Sequence, residues 1–173
     1  MSWAESRSFR HSSPCTATRF GYNSFSEEIA KSLSTIAGTE AGGDILRGIV
    51  ASKGEITFEY RRGVFAAEGE WFGKNSTIYF DPNHVESIVT SGNIFRNANT
   101  TMVLSHELCH AWNNAASGWF GSGVPRIGNA IRGLPGQEMW ATRHTNLVRR
   151  QLGYKYIRTH YSHNGNQFCV EGC

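Results

Sequence analysis

The sequence predicts an α+β fold in a single compact domain. Apolar residues recur at helical spacing near both ends of the chain, whereas polar and apolar residues alternate in its middle, as in half-buried strands. The length of 173 residues is that of one domain. With 39% hydrophobic and 18% charged residues, the composition excludes wholesale disorder.

Residues 1–22 show no pattern of regular structure. They are rich in Ser, Arg and Thr, which is typical of a mobile leader. This leader lacks the apolar core of a Sec signal peptide, and no apolar run in the chain approaches the roughly 18 residues that span a bilayer. We therefore expect a globular domain at residues 23–173, behind the leader and without contact to a membrane.

Two helices open the predicted domain. The first begins at Ser24 and has apolar residues at every third or fourth position. A break at Gly42 and Gly43 separates it from a second, short helix at residues 44–51. Asp44 is a suitable N-cap for this second helix.

Three strands follow the two helices. Alternation over residues 55–60 predicts a half-buried strand, and residues 61–63 suit a turn into a returning strand at residues 64–67. These two strands are therefore expected to form a hairpin. A third strand at Ser76–Phe80 is expected to be an edge strand with which a substrate can pair.

Two longer helices complete the predicted domain. Residues 101–114 are apolar on much of the helix surface, which predicts a buried helix. The last helix runs over residues 137–152, and Gly153 suits its C-cap. Between them, residues 116–136 contain six Gly and two Pro. Long loops of this kind in compact domains are usually functional or disordered.

The motif His106-Glu107-Leu108-Cys109-His110 lies in the first of these longer helices. Residues i and i+4 share one helix face about 6 Å apart, so both imidazoles can reach one metal ion. Glu107 points to the neighbouring side of the same turn, where it can act as a general base on water without ligating the metal. The motif therefore predicts a hydrolytic zinc site. The alternative is a solvated helix face with two incidental histidines.

A catalytic zinc needs a third protein ligand and one position open for water. After His110 the chain offers two carboxylates and three histidines: Glu138, Glu171, His144, His160 and His163. Glu138 is the natural candidate, because it opens a separate helix that can approach the two-histidine face from the side. In its alternative role it is an acidic residue stabilised by the helix dipole. Thr142 and Asn146 follow at helical spacing, and they either orient the ligands or pack between helices.

A short polar segment near the C-terminus offers groups that could assist the reaction. A tetrahedral intermediate carries an oxyanion, which a phenol or an imidazolium would stabilise. Tyr161 is the preferred donor and His160 the second choice, while Arg158 can pair with Glu138 or fix the loop. The alternative is that these are surface residues near a terminus.

The cysteines and the net charge exclude other classes of protein. Four cysteines, at positions 15, 109, 169 and 173, are too sparse for a disulfide scaffold. Cys109 falls in an apolar helical pattern and is expected to be a buried small hydrophobe. Cys169 and Cys173 could form a terminal disulfide, but we expect four reduced thiols in a cytosolic setting. A net charge of +3 is too small to indicate nucleic-acid binding.

Three blocks carry a family resemblance: Ser105 to Trp112, Glu138-x-x-x-Thr142-x-x-x-Asn146-x-x-Arg149, and Gly153 followed by Arg158-x-x-Tyr161. In this order they resemble the bacterial type III effector zinc metalloproteases of the NleD and HopH type. The last block is also similar to one in the clostridial neurotoxin proteases, where both residues assist the oxyanion. The resemblance implies a zincin-like fold with a small sheet packed on the active-site helix. It also implies a gluzincin set of zinc ligands at His106, His110 and Glu138.

The resemblance implies biology as well. Such proteins are secreted by a bacterial type III system into the host-cell cytoplasm, and the Ser-rich leader fits an export signal. The partner is then a host protein, and the best-known relatives cleave mitogen-activated protein kinases. We therefore expect a monomeric zinc endopeptidase that binds its substrate beside Ser76–Phe80, with the loop at residues 116–136 bordering the cleft. A zinc-stabilised binding domain and a toxin-type metallohydrolase with another target are the alternatives.

Overall fold

A computed structural model of the protein describes residues 22–69, 74–84, 86–91, 94–117, 136–163 and 166–172. Residues 1–21 of the predicted leader and most of the predicted loop at residues 116–136 lie outside these ranges. The described residues form an α+β fold in one compact domain, as predicted. None of their helices combines the length and the apolar character needed to cross a membrane.

The described residues contain four helices and two small sheets. The helices are α1 (Tyr22–Ala37), α2 (Glu40–Ala51), α3 (Thr100–Ser117) and α4 (Gly136–Gln151). The strands are β1 (Ile56–Tyr60), β2 (Phe65–Gly69), β3 (Ser76–Phe80), β4 (Ser87–Thr90), β5 (Ile94–Asn97), β6 (Arg158–His163) and β7 (Asn166–Cys169).

The first two helices meet at a tight corner. Thr39 is the N-cap of α2, and its hydroxyl accepts a hydrogen bond from the Gly42 backbone N–H at 3.0 Å. The predicted break at Gly42 and Gly43 and the predicted cap at Asp44 are therefore wrong, because the helix runs through all three residues. A Cβ on Gly42 would lie 2.0 Å from the Ile36 carbonyl oxygen. This glycine permits the close approach of α2 to the end of α1, and the helix is not broken by it.

The first sheet has the strand order β1-β3-β2. β1 runs parallel to β3 and β2 antiparallel to it, so the predicted hairpin of the first two strands is wrong. After a turn at Gly63, whose φ is +71°, β2 pairs with the far side of β3. The expectation that Ser76–Phe80 is an edge strand is also wrong. Ile78 and Phe80 are fully buried, and both edges of this central strand are occupied by other strands.

The second sheet has the strand order β5-β4-β6-β7 with antiparallel neighbours, and none of its strands was predicted. Thr90 in β4 pairs with Arg158 in β6. The chain therefore returns after α4 and inserts its C-terminal segment into a sheet. Tyr161 is held on a strand by this insertion and does not lie in a free terminus.

Helix α3 is the centre of the core, because it packs against α1, α2, α4, β2 and β3. Leu104 and Leu108 are completely buried on it. A Cβ on Gly48 of α2 would lie 2.2 Å from the Trp112 indole, so α2 lies directly against α3. The predicted bounds of α3 and α4 hold to within a few residues, and Gly153 has the positive φ of +78° expected of a C-cap residue.

The cysteines agree with prediction at one position and contradict it at another. Cys109 is a free thiol and fully buried, and this burial raises its pKa. Cys169 is disulfide-bonded to a partner outside the described residues. The prediction of four reduced thiols is therefore wrong, because the β6–β7 hairpin holds Cys169 in an ordered strand where it can be cross-linked.

Candidate metal centre

Two histidines of α3 face each other across one helical turn. Their Nε2 atoms lie 3.1 Å apart, and their ring centroids are separated by 4.8 Å. The side chains of His106 and His110 are only 11% and 14% exposed. The buried apolar residues of α3 fix the helix in the core, so the rings are held as a pair that can bind one cation.

The first turn of α4 supplies the third donor atom. Glu138 Oε2 lies 3.1 Å from His106 Nε2 and 3.4 Å from His110 Nε2. A tetrahedral zinc with bonds of about 2.0–2.1 Å keeps its ligand atoms roughly 3.3 Å apart. The two imidazole nitrogens and the carboxylate oxygen therefore fit zinc with shifts of no more than a few tenths of an ångström. The structure thus brings together the three ligands predicted from the sequence.

Two other downstream candidates lie outside this cluster. His144 Nδ1 is 2.9 Å from the Trp140 carbonyl oxygen, and its ring packs against Trp112 and Trp140. Glu171 forms an ion pair with Arg150. Both residues are therefore part of the packing around α4.

The described residues include no fourth His, Cys, Asp or Glu in the cluster. The side chain of His163 lies outside the described part of the chain, and Cys169 is occupied by its disulfide. Structural zinc sites are closed by four protein ligands, whereas catalytic sites hold three and keep one position open. Among the described residues the cluster therefore has the three protein donors that a catalytic site uses.

Hydrogen bonds within the cluster set the protonation of the ligands. Burial alone would raise the pKa of Glu138, but hydrogen bonds from His106 and His110 hold this pKa well below its ordinary value. Burial would lower the pKa of His110, but its hydrogen bond to Glu138 raises it. Glu138 is therefore ionised at neutral pH, whereas the raised pKa of His110 makes protons compete with a metal for its ring nitrogen.

Glu107 lies beside the cluster and is 8% exposed. Burial raises the pKa of its carboxyl group, and attraction to His106 and His110 opposes part of this rise. The charge of Glu138 adds to the rise. A carboxylate with a raised pKa accepts a proton more readily at neutral pH, which suits a general base.

The phenol of Tyr161 completes the surroundings of the cluster. Its ring stacks on His106 with a centroid separation of 6.1 Å and an interplanar angle of 17°, and the Glu138 carboxylate acts electrostatically on its hydroxyl. Burial raises the pKa of this phenol, so it keeps the proton that a hydrogen-bond donor needs. The guanidinium carbon of Arg158 lies 4.4 Å from the centroid of the same ring.

The structure distinguishes the two predicted oxyanion donors by position. Neighbouring residues of a strand point to opposite faces of the sheet, and it is Tyr161 that reaches the cluster. The Nδ1 atom of His160 lies 3.0 Å from the Thr159 hydroxyl. The expected pair of Arg158 with Glu138 is replaced by an ion pair with Glu86, at 3.1 Å between Nη1 and Oε1.

Sequence reasoning missed Glu86, since no motif marks an isolated acidic residue before an unpredicted strand. It does single out Thr142 and Asn146, either to orient the ligands or to pack between helices. The fully buried Asn146 amide instead bonds the backbone of Arg158, accepting from its N–H at 2.9 Å and donating to its carbonyl at 2.8 Å. Thr142 is buried, and its hydroxyl makes no hydrogen bond within the described residues.

Comparison with known families gives a match to the M91 peptidases, which are described as effector proteins, over residues 15–123. This match covers more than half of the chain. It includes His106, Glu107 and His110 and ends before Glu138. Neither a search of curated proteins nor a search of solved structures found a match.

Proposed function

Because the chain belongs to the M91 peptidase family of effector proteins, we propose that it is a zinc-dependent endopeptidase. His106, His110 and Glu138 would hold the metal. The observation that carries this proposal is the convergence of three donor atoms, at separations of 3.1–3.4 Å, beside the buried carboxyl group of Glu107. Two imidazoles and one carboxylate with an open position are a donor set of hydrolytic zinc enzymes.

The acid–base chemistry falls to Glu107. A bound zinc ion would polarise the scissile carbonyl and lower the pKa of the attacking water. The Glu107 carboxylate takes the proton of that water and passes it to the leaving amine. Its raised pKa supports this role, because the group must hold the proton between the two transfers.

Tyr161 is proposed to stabilise the oxyanion. Its ring lies against His106, so a small movement would bring its hydroxyl to the carbonyl oxygen of a bound peptide. A donor of this kind acts mainly on the transition state, where the negative charge develops. The guanidinium of Arg158, 4.4 Å from the ring centroid, adds positive charge near the phenol.

The substrate is proposed to pair with β2. This strand is bonded to β3 along one edge, its other edge is unpaired within the described residues, and it packs against α3. An extended peptide could add to that edge through its main chain and pass over the metal ligands. This replaces the expected pairing with Ser76–Phe80, whose edges are both occupied.

We extend the proposal to the biology that the NleD and HopH resemblance implies. The protein would be delivered by a type III system into the host-cell cytoplasm and would act there, as a monomer, on a host protein. A mitogen-activated protein kinase is the first substrate to test. The effector family supports delivery and a protein substrate, and the specific route and target are part of the proposal.

A peptide library made from a host proteome tests the activity without knowledge of the target. We expect the zinc-loaded protein to generate new peptide ends, which mass spectrometry detects. Glu107→Gln should keep one zinc per chain and lose about 100-fold to 10,000-fold in rate, since a general base contributes that much. Glu59→Gln, on β1, is the control and should cut like the wild type. Full activity in Glu107→Gln, or no cleavage by the zinc-loaded wild type, would contradict the proposal.

A further inference from the structure

The side chain of Arg158 is held at three points. Nη1 lies 3.1 Å from Glu86 Oε1, Nε donates to the His160 carbonyl at 3.2 Å, and the guanidinium carbon lies 4.4 Å from the Tyr161 ring centroid. Only 13% of the Arg158 side chain is exposed. An arginine side chain with these three contacts has little conformational freedom. The ion pair with Glu86 therefore helps to fix where the guanidinium lies over the Tyr161 ring.

A second guanidinium makes the position of Arg158 depend on Glu86. Arg149 on α4 is buried, and its pKa falls to about 10, first because of burial and then because of repulsion by Arg158. The Glu86 carboxylate opposes this fall, so it attracts both guanidinium groups. Without its charge, Arg149 and Arg158 would repel each other with less compensation, and the guanidinium of Arg158 would lose its ion pair and shift.

The backbone of Arg158 is fixed independently. Asn146 is fully buried, and its amide accepts from the Arg158 N–H and donates to the Arg158 carbonyl. Removing the charge of Glu86 therefore leaves strand β6 in place and frees only the guanidinium. This separation allows the contribution of the side-chain contact to be measured by itself.

We propose that Glu86 is a positioning residue that aims Arg158 at the Tyr161 ring and thereby fixes the phenol beside the metal ligands. The inference rests on the proposed function, in which Tyr161 serves the transition state. Glu86 lies at the entrance to β4 and Arg158 at the start of β6, which are paired strands. The second sheet, which carries neither a metal ligand nor the general base, would thus set the geometry of the oxyanion donor.

A resonance of the tyrosine ring tests this positioning without any substrate. In protein labelled with carbon-13 in its tyrosine rings, the signal of Tyr161 is the one missing from Tyr161→Phe. Glu86→Gln should move this signal toward its position in Arg158→Ala. Asp44→Asn removes a surface ion pair with Arg47 and should leave the signal unchanged. An unmoved signal in Glu86→Gln would overturn the inference.

Kinetics on a peptide from the library give a second test. Glu86→Gln should lower kcat about 10-fold to 100-fold, as is usual for groups that orient a ligand or donor, with KM and zinc content little changed. In the Tyr161→Phe background the same substitution should change kcat less than about twofold, because the residue then has nothing to position. Additive losses would contradict the inference. Absence of cleavage by the wild type would contradict only the proposed function, and the resonance would still decide the role of Glu86.

Discussion

Replacing Glu138 by Ala tests whether this residue is a metal ligand or an acidic residue that only stabilises the end of a helix. Glu138 lies in the first turn of α4, and Glu40 lies in the first turn of α2. Either carboxylate interacts favourably with the helix dipole, by about 0.3–1 kcal/mol. Only Glu138 has its oxygen within 3.4 Å of two imidazole nitrogens. The two Ala variants should therefore differ in zinc binding far more than in stability.

The expected loss follows from the number of ligands. Zinc sites with four protein ligands bind with roughly 10–16 kcal/mol, or about 2.5–4 kcal/mol for each ligand. Water would replace the lost carboxylate and recover part of this. We expect Glu138→Ala to weaken zinc binding by about 3 kcal/mol, which is on the order of a 100-fold rise in Kd.

Competition with a chromophoric chelator at about pH 7.5 measures both constants. Glu40→Ala should bind zinc like the wild type while losing a comparable amount of stability. A Kd for Glu138→Ala within about threefold of the wild-type value would refute the assignment. The third ligand would then have to be sought among the other downstream residues.

Two further predictions concern packing and pH. Gly48→Ala should lower the stability by about 1–3 kcal/mol, because its Cβ would lie 2.2 Å from the Trp112 indole. Gly43→Ala meets only the movable end of Arg47 at 3.0 Å and should be neutral or stabilising, so equal melting temperatures would refute the packing argument. In the metal-free protein, the His110–Glu138 contact stabilises the fold most between pH 4.5 and pH 6.5, which are the ordinary pKa values of the two groups. The contribution of His110 declines as the pH rises through its raised pKa. The contribution of Glu138 declines as the pH falls toward its lowered pKa. Zinc requires neutral His110, so the rise in melting temperature caused by zinc should be larger at pH 8 than at pH 5.5, and an equal rise would contradict this.

The helices that carry the proposed metal ligands could be predicted because their signals are local. Helical periodicity marks α3, the motif spacing of four residues places His106 and His110 on one face, and Gly153 marks the end of α4. Glu138 was found by elimination, since few carboxylates follow His110. The three predicted ligands therefore follow from helical periodicity, from the spacing of the motif and from the small number of carboxylates after His110.

The sheets could not be predicted in the same way, because strand pairing is decided by distant residues. The alternation in β1 and β2 suggested a hairpin, but β3 lies between them. The four-residue strand β4 has no signal of its own and exists through its pairing with β5 and β6. Since Glu86 acts from the entrance to that strand, its contact with Arg158 could not be seen either.

His106 and Glu138 are 32 positions apart in the chain, and they meet because α3 and α4 pack side by side. An unfolded chain offers zinc only the two nearby imidazoles, which is not a preformed site. Under the proposed function, the unfolded effector is therefore inactive until it folds. Any route that threads the chain in extended form would carry it without its metal, and docking of the two helices after transit would switch the protease on.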